Sequence, residues 1–155
     1  MTVKTKNQGM VKTILLTWLL CGTLDALSAI VLNPQVPAAA IFKYIASGFF
    51  GKAATAGGTD MVLYGVLFHY FIALIFTVIL FRLYPFLINI FRNKILLAFI
   101  LGLLIFFIMN FLVVPYLSHI VQRPMKLAGV LKNMSALIVA FGFPIVFIAN
   151  KYYGD

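Results

Sequence analysis

Apolar residues fall into four long runs, at about 13–32, 61–83, 95–116 and 133–150, separated by stretches that gather most of the lysine, arginine and proline. Each run is close to the roughly 20 residues an α-helix needs to cross a hydrocarbon layer about 30 Å thick. Between the first two lies a shorter segment, 38–52 (AAAIFKYIASGFFGK), too short to span. In it Ile41, Ile45 and Phe49 recur at i, i+4 and i+8 with Phe42 and Phe50 beside them, while Lys43 and Ser47 fall on the other side. That spacing predicts an amphipathic helix that lies in the membrane interface or re-enters the bundle.

Prolines punctuate the runs, because proline lacks an amide donor and disfavours helical geometry at the residue before it. Asn33-Pro34 and Pro37 close the first run and Pro115 the third, and Pro144 is expected to kink the fourth. Residues 1–12 read as a polar, basic lead-in, 53–59 as a flexible joint and 84–94 as a short connection. Residues 118–132 read as a polar loop carrying His119, Arg123, Pro124, Lys126 and Lys132. In the second run Gly65, His69, Ala73 and Thr77 stand four apart, and in the third Gly102, Phe106 and Asn110 do, which predicts the edges where helices approach one another. The pattern thus specifies an all-α membrane protein. Four transmembrane helices form a bundle, with one short interfacial or re-entrant helix between the first two, in a single integral membrane domain over 1–155. The two halves share neither motif nor spacing, so an internal inverted repeat is not expected.

Composition agrees: 64% of the residues are hydrophobic and 10% charged, against roughly 45–50% and 25% in soluble domains. The net charge of +9 would by itself suit nucleic acid, but the basic residues flank apolar runs, where headgroups and cytoplasmic loops account for them. The expected partner is the lipid bilayer, not nucleic acid. With four spans, one side carries Lys4, Lys6, Lys12, Arg82, Arg92, Lys94 and Lys151, and the other Lys43, Lys52, Arg123, Lys126 and Lys132. This imbalance predicts that both termini are cytoplasmic, by a margin small enough to leave dual orientation open. The basic start and the small residues near 26–29 have the look of a signal peptide, yet the apolar run continues to Leu32, beyond an h-region of roughly 7–15 residues.

Chemistry enters through a few polar side chains inside the runs. Asp25 is the only acid within the four, and placing a carboxylate at mid-membrane costs about 2.5–3.5 kcal/mol on insertion scales. It therefore has to turn inward and find a partner. At about 1.5 Å per residue, Asp25 lies about 4 Å beyond the midplane, His69 about 4.5 Å, Asn110 about 7 Å and Ser135 about 10 Å, all on the side of the 34–60 and 118–132 loops. Asp25, His69, Asn110 and Ser135 are thus the candidate intramembrane polar site, with Asp25 and His69 as a proton-titratable pair. The competing account is that the same residues only hold helices together, at about 0.6 kcal/mol per contact.

Other chemistries find little support. Gly48-Phe49-Phe50-Gly51-Lys52-Ala53 has two residues where a phosphate loop needs four and Ala53 where it needs Ser or Thr. His119 is remote from His69, and Cys21 is the single cysteine, so neither a metal nor a haem cofactor is expected. No nucleophile elbow, zinc motif or paired carboxylates are present, and no enzymatic activity is expected.

The strings Gly22-Thr23-Leu24-Asp25, Tyr44-Ile45-Ala46-Ser47-Gly48 with Gly51, Gly65-Val66-Leu67-Phe68-His69-Tyr70 with Ile72-Ala73, and Met109-Asn110 leading to Val113-Val114-Pro115 resemble a group of bacterial four-span membrane proteins without an assigned activity. The resemblance covers about 15–152 and implies a bacterial inner-membrane location, with Asp25, Gly48, His69 and Asn110 as its motif positions. In length, and in its acid in the first helix, the chain is also similar to small multidrug exporters that act as dimers, although it has Asp where they have Glu. Two functional classes stay open. One is a proton-linked small-solute carrier or channel component, working as a homodimer because four helices barely enclose a path. The other is a structural or partner-binding membrane protein.

Overall fold

A computed structural model describes the backbone of residues 2–119 and 126–154, and the side chains of 9–116, 118–119 and 126–154. Arg123 and Pro124 of the expected basic loop lie outside the described residues, as do the side chains of Lys4 and Lys6. Among the described residues all regular structure is helical. Four helices are long and apolar enough to cross a membrane, with a shorter apolar helix between the first two. In order these are α1 (Thr2–Val31), α2 (Ala38–Phe50), α3 (Lys52–Ala56) and α4 (Thr59–Phe91), then α5 (Lys94–Tyr116) and α6 (Leu127–Gly154). Large side chains such as Leu67, Phe71, Phe107 and Phe111 stand exposed along the outer faces. Rows of this kind mark a surface made for lipid, since a water-soluble chain rarely leaves so much apolar area uncovered.

Several boundaries differ from the sequence reading. The expected lead-in is helical from Thr2, continuous with the first span; its lysine, glutamine and methionine are good helix formers, and Gly9 interrupts them only once. Pro85 does not end the second span, and α4 runs on to Phe91. The amide bond lost at proline is offset there by Leu87, Ile88 and Phe91, which pack against the core. The turn proper is only Arg92, with φ +55°, and Asn93, whose side chain accepts from the amides of Ile95 and Leu96 at 2.9 and 3.1 Å and so starts α5. The fourth span begins at Leu127 rather than 133, and part of 53–59 coils into α3, where Ala54 is fully buried. Gly51, at φ +60° and ψ −142°, separates α2 from α3 in a conformation open only to glycine.

α5 and α6 share one irregularity. Met109–Val113 and Ile138–Gly142 are π-turns, each ending two residues before a proline, Pro115 and Pro144. A proline ring collides with the carbonyl four residues earlier, and one extra residue in the turn carries that carbonyl aside while the helix continues. At Pro144, where the sequence predicts a kink, the helix widens in this way.

The core is uneven along the membrane normal. In the half nearest the termini Phe81, Leu97, Leu101, Ile145 and Val146 are fully buried together with Thr17 and Thr77. Those two hydroxyls donate to carbonyls of their own helices, Thr13 and Ala73, both at 2.8 Å, so the plug holds no unpaired polar group among its described residues. Backbones touch where glycine allows it: a side-chain carbon at Gly102 would collide with the backbone of Ile138, and one at Gly142 with the carbonyl of Ala98. The opposite half is looser, and the polar side chains gather there.

Candidate functional site

The site rests on the α1–α4 contact. Trp18 Nε1 donates to the carbonyl of Tyr70 at 2.7 Å, and the hydroxyls of Thr23 and Tyr70 lie 2.9 Å apart. His69 Nε2 lies 2.8 Å from the carbonyl oxygen of Gly22. Lipid offers these polar groups nothing, so each bond between the helices is retained. A carbonyl can only accept, and the last contact therefore requires that His69 Nε2 carry a hydrogen. The other ring nitrogen, Nδ1, is the atom facing Asp25, 4.0 Å from Oδ2. The separation exceeds a direct hydrogen bond and matches an ion pair or a bridge through one water.

Two cavities meet at Asp25. An inner one of about 160 Å³ is lined by Asp25, His69, Ile45, Ala73, Phe76, Met109 and other apolar side chains. It therefore touches both π-turn helices, through Met109 on α5 and Phe141 on α6. An outer one of about 200 Å³ is lined by Asp25, Ser28, Asn33, Lys132 and Asn133 with small apolar residues. Asp25 belongs to the wall of both. Its side chain is 25% exposed against 10% for His69, so the carboxylate reaches open space in the middle of an apolar bundle.

Helix α2 closes the inner cavity from the side. Its contact face is Phe42, Ala46 and the Phe49–Phe50 pair: the Phe42 ring lies 6.3 Å from His69, and Phe49 and Phe50 lie 5.3 and 5.9 Å from Phe68. This face is rotated from the sequence reading. Ser47, expected on the polar side with Lys43, is buried and donates to the carbonyl of Tyr44 at 2.6 Å, while Ile45 points into the inner cavity. Thus α2 packs along α4 as far as His69, nearly three turns from the start of α4. The far end of α2 is tied to the segment just beyond α5 by the amide of His119, which donates to the carbonyl of Gly48 at 2.9 Å.

Of the four candidate residues the structure brings two together. Asn110 sits in the π-turn of α5 and donates back to the carbonyl of Phe106 at 2.8 Å; neighbouring Met109 lines the cavity instead. Ser135 is exposed and lines neither cavity. The widened turn accounts for Asn110, since an extra residue in the turn shifts side chains away from a regular helical register, whereas Ser135 precedes the π-turn of α6 on a regular stretch and faces outward. Sequence reading missed Lys132, Asn33 and Asn133, assigned to loop or membrane boundary, because the fourth helix begins earlier than its apolar run. Among the described residues no three His, Cys, Asp or Glu side chains converge as metal ligands would.

Fold and site together define a polytopic α-helical membrane protein with an Asp–His pair at the junction of two cavities. Compared with family models, curated proteins and solved structures, the chain matches none.

Proposed function

We propose that this chain is a proton-linked carrier or channel component of a bacterial inner membrane, with Asp25 and His69 Nδ1 exchanging one proton between them and the outer cavity. The observation that carries the reading is that Asp25 forms the shared wall of both cavities while facing the one free nitrogen of His69 at 4.0 Å. A proton arriving through the outer cavity meets the carboxylate first and the imidazole second. The packed half around Phe81, Leu97 and Ile145 closes the way onward in this conformation, as alternating access requires of a carrier seen from one side. A homodimer would complete a path that four helices barely enclose.

The test is proton flux in proteoliposomes, read with a pH-sensitive dye under an imposed gradient. Asp25→Asn is expected to lower the flux at least ten-fold, and equal flux in the two proteins would overturn the reading. One observation favours the structural alternative: the pair stands among three cross-helix contacts, Trp18–Tyr70, Thr23–Tyr70 and His69–Gly22. On that account Asp25→Asn leaves flux at the background of empty vesicles, as wild type does, and changes only the melting temperature.

A further inference from the structure

The outer cavity has two unlike walls. On α1 stand the carboxylate of Asp25, the hydroxyl of Ser28 and the amide of Asn33. Ser28 Oγ already donates to the carbonyl of Asp25 and Asn33 Nδ2 to that of Ala29, both at 2.8 Å, so Ser28 has only acceptor oxygen left to offer, and Asn33 keeps its Oδ1 acceptor with one remaining N–H. On α6 stand two exposed residues of the lining, Lys132, whose ammonium has donors and no acceptor, and Asn133. One wall therefore carries a negative charge and the other a positive one, each beside an amide able to accept or donate. Gly129, Ala29 and Ala136 keep the space between them clear.

A simple cation drawn to Asp25 is repelled by Lys132, and a simple anion drawn to Lys132 is repelled by Asp25. A small dipolar molecule meets neither objection. At about 200 Å³ the cavity is below the roughly 300–1,000 Å³ of sites for drug-sized ligands, which limits the occupant to a few heavy atoms. Resting on the proton-linked reading above, we propose that the outer cavity binds a small zwitterionic solute, its ammonium on Asp25, Ser28 and Asn33 and its carboxylate on Lys132 and Asn133. Bound in this way, the ammonium occupies the carboxylate that the proton would otherwise visit, which couples the two ligands by competition.

The experiment measures binding to purified full-length protein in nanodiscs, using glycine, β-alanine and γ-aminobutyric acid as zwitterions of increasing charge separation. Glycinamide and N-acetylglycine serve as cation-only and anion-only controls. At least one zwitterion is expected to bind ten-fold or more tightly than either control. Lys132→Gln is expected to remove that preference, and Lys126→Gln, an exposed lysine outside the cavity, to keep it. Equal binding of glycinamide, or full zwitterion binding by a folded Lys132→Gln protein, would overturn the proposal. The two readings fail separately: Asp25-dependent proton flux without zwitterion binding removes this inference alone, whereas zwitterion binding without proton flux keeps the cavity assignment and removes proton coupling.

Discussion

At the scale of single residues, the decisive feature is that the two nitrogens of His69 have different tasks. Nε2 spends its hydrogen on the carbonyl of Gly22 and joins α4 to α1, while Nδ1 faces Asp25. Substitutions can separate the two. Glutamine places an amide nitrogen near the position of Nε2 and carries no second ring nitrogen to exchange a proton with Asp25. His69→Gln is expected to keep the bond to Gly22, to melt within a few degrees of wild type and to lose the Asp25-dependent flux. His69→Ala loses the bond as well, at a cost of about 0.5–1.5 kcal/mol, and should both melt lower and lose flux. Thermal unfolding in detergent alongside the dye assay checks the pair. Normal flux in His69→Gln would show that the ring is there only to hold the helices.

At the scale of elements, the contact of α2 with α4 sets the shape of the site, and Gly65 permits it. A side-chain carbon there would collide with the backbone of Phe42, and a backbone cannot step aside as a flexible side chain can. Gly65→Ala is expected to destabilise by about 1–3 kcal/mol, the usual cost of overpacking, and Gly65→Leu to release α2 from α4 altogether. The readout is proteolysis of the 33–58 segment in nanodiscs, and protection unchanged in Gly65→Leu would contradict the placement. The glycine stripe was legible in the sequence, as were the four spans and the short helix, because apolar runs and i, i+4 spacing report burial directly. What was not legible follows from two physical effects. Packing of Leu87, Ile88 and Phe91 carries α4 through Pro85, which local proline rules cannot foresee. The π-turn before Pro115 shifts the register of Asn110, and Ser135 matches the site by depth alone, which does not say which face of the helix a side chain takes. Asp25 and His69 lie on helices without such turns, and their matched depth carried over into three dimensions.

At the scale of the whole molecule, the asymmetry of packing and the asymmetry of charge run along the same axis. The tightly packed half lies beside the termini and the Arg92–Asn93 turn, where seven of the twelve lysines and arginines fall, and the cavities lie toward the other side. If the more basic side is cytoplasmic, the outer cavity lies toward the opposite face and the plug lies between the inner one and the cytoplasm. Cys21 makes this measurable: it is fully buried, one helical turn from Asp25 on the plug side, so wild-type protein should resist a membrane-impermeant maleimide. With Cys21 replaced by alanine, a cysteine introduced by Ala29→Cys, in the wall of the outer cavity, should react when the reagent is added to intact spheroplasts. In inverted vesicles it should stay unreacted, and a reporter fused after residue 155 should register the cytoplasm. Labelling confined to inverted vesicles would reverse the orientation, and equal labelling in both preparations would mean that the small charge imbalance inserts the chain both ways. Reaction of wild-type Cys21 in the resting protein would count against the plug itself, since a fully buried thiol is reached only if the core around it parts.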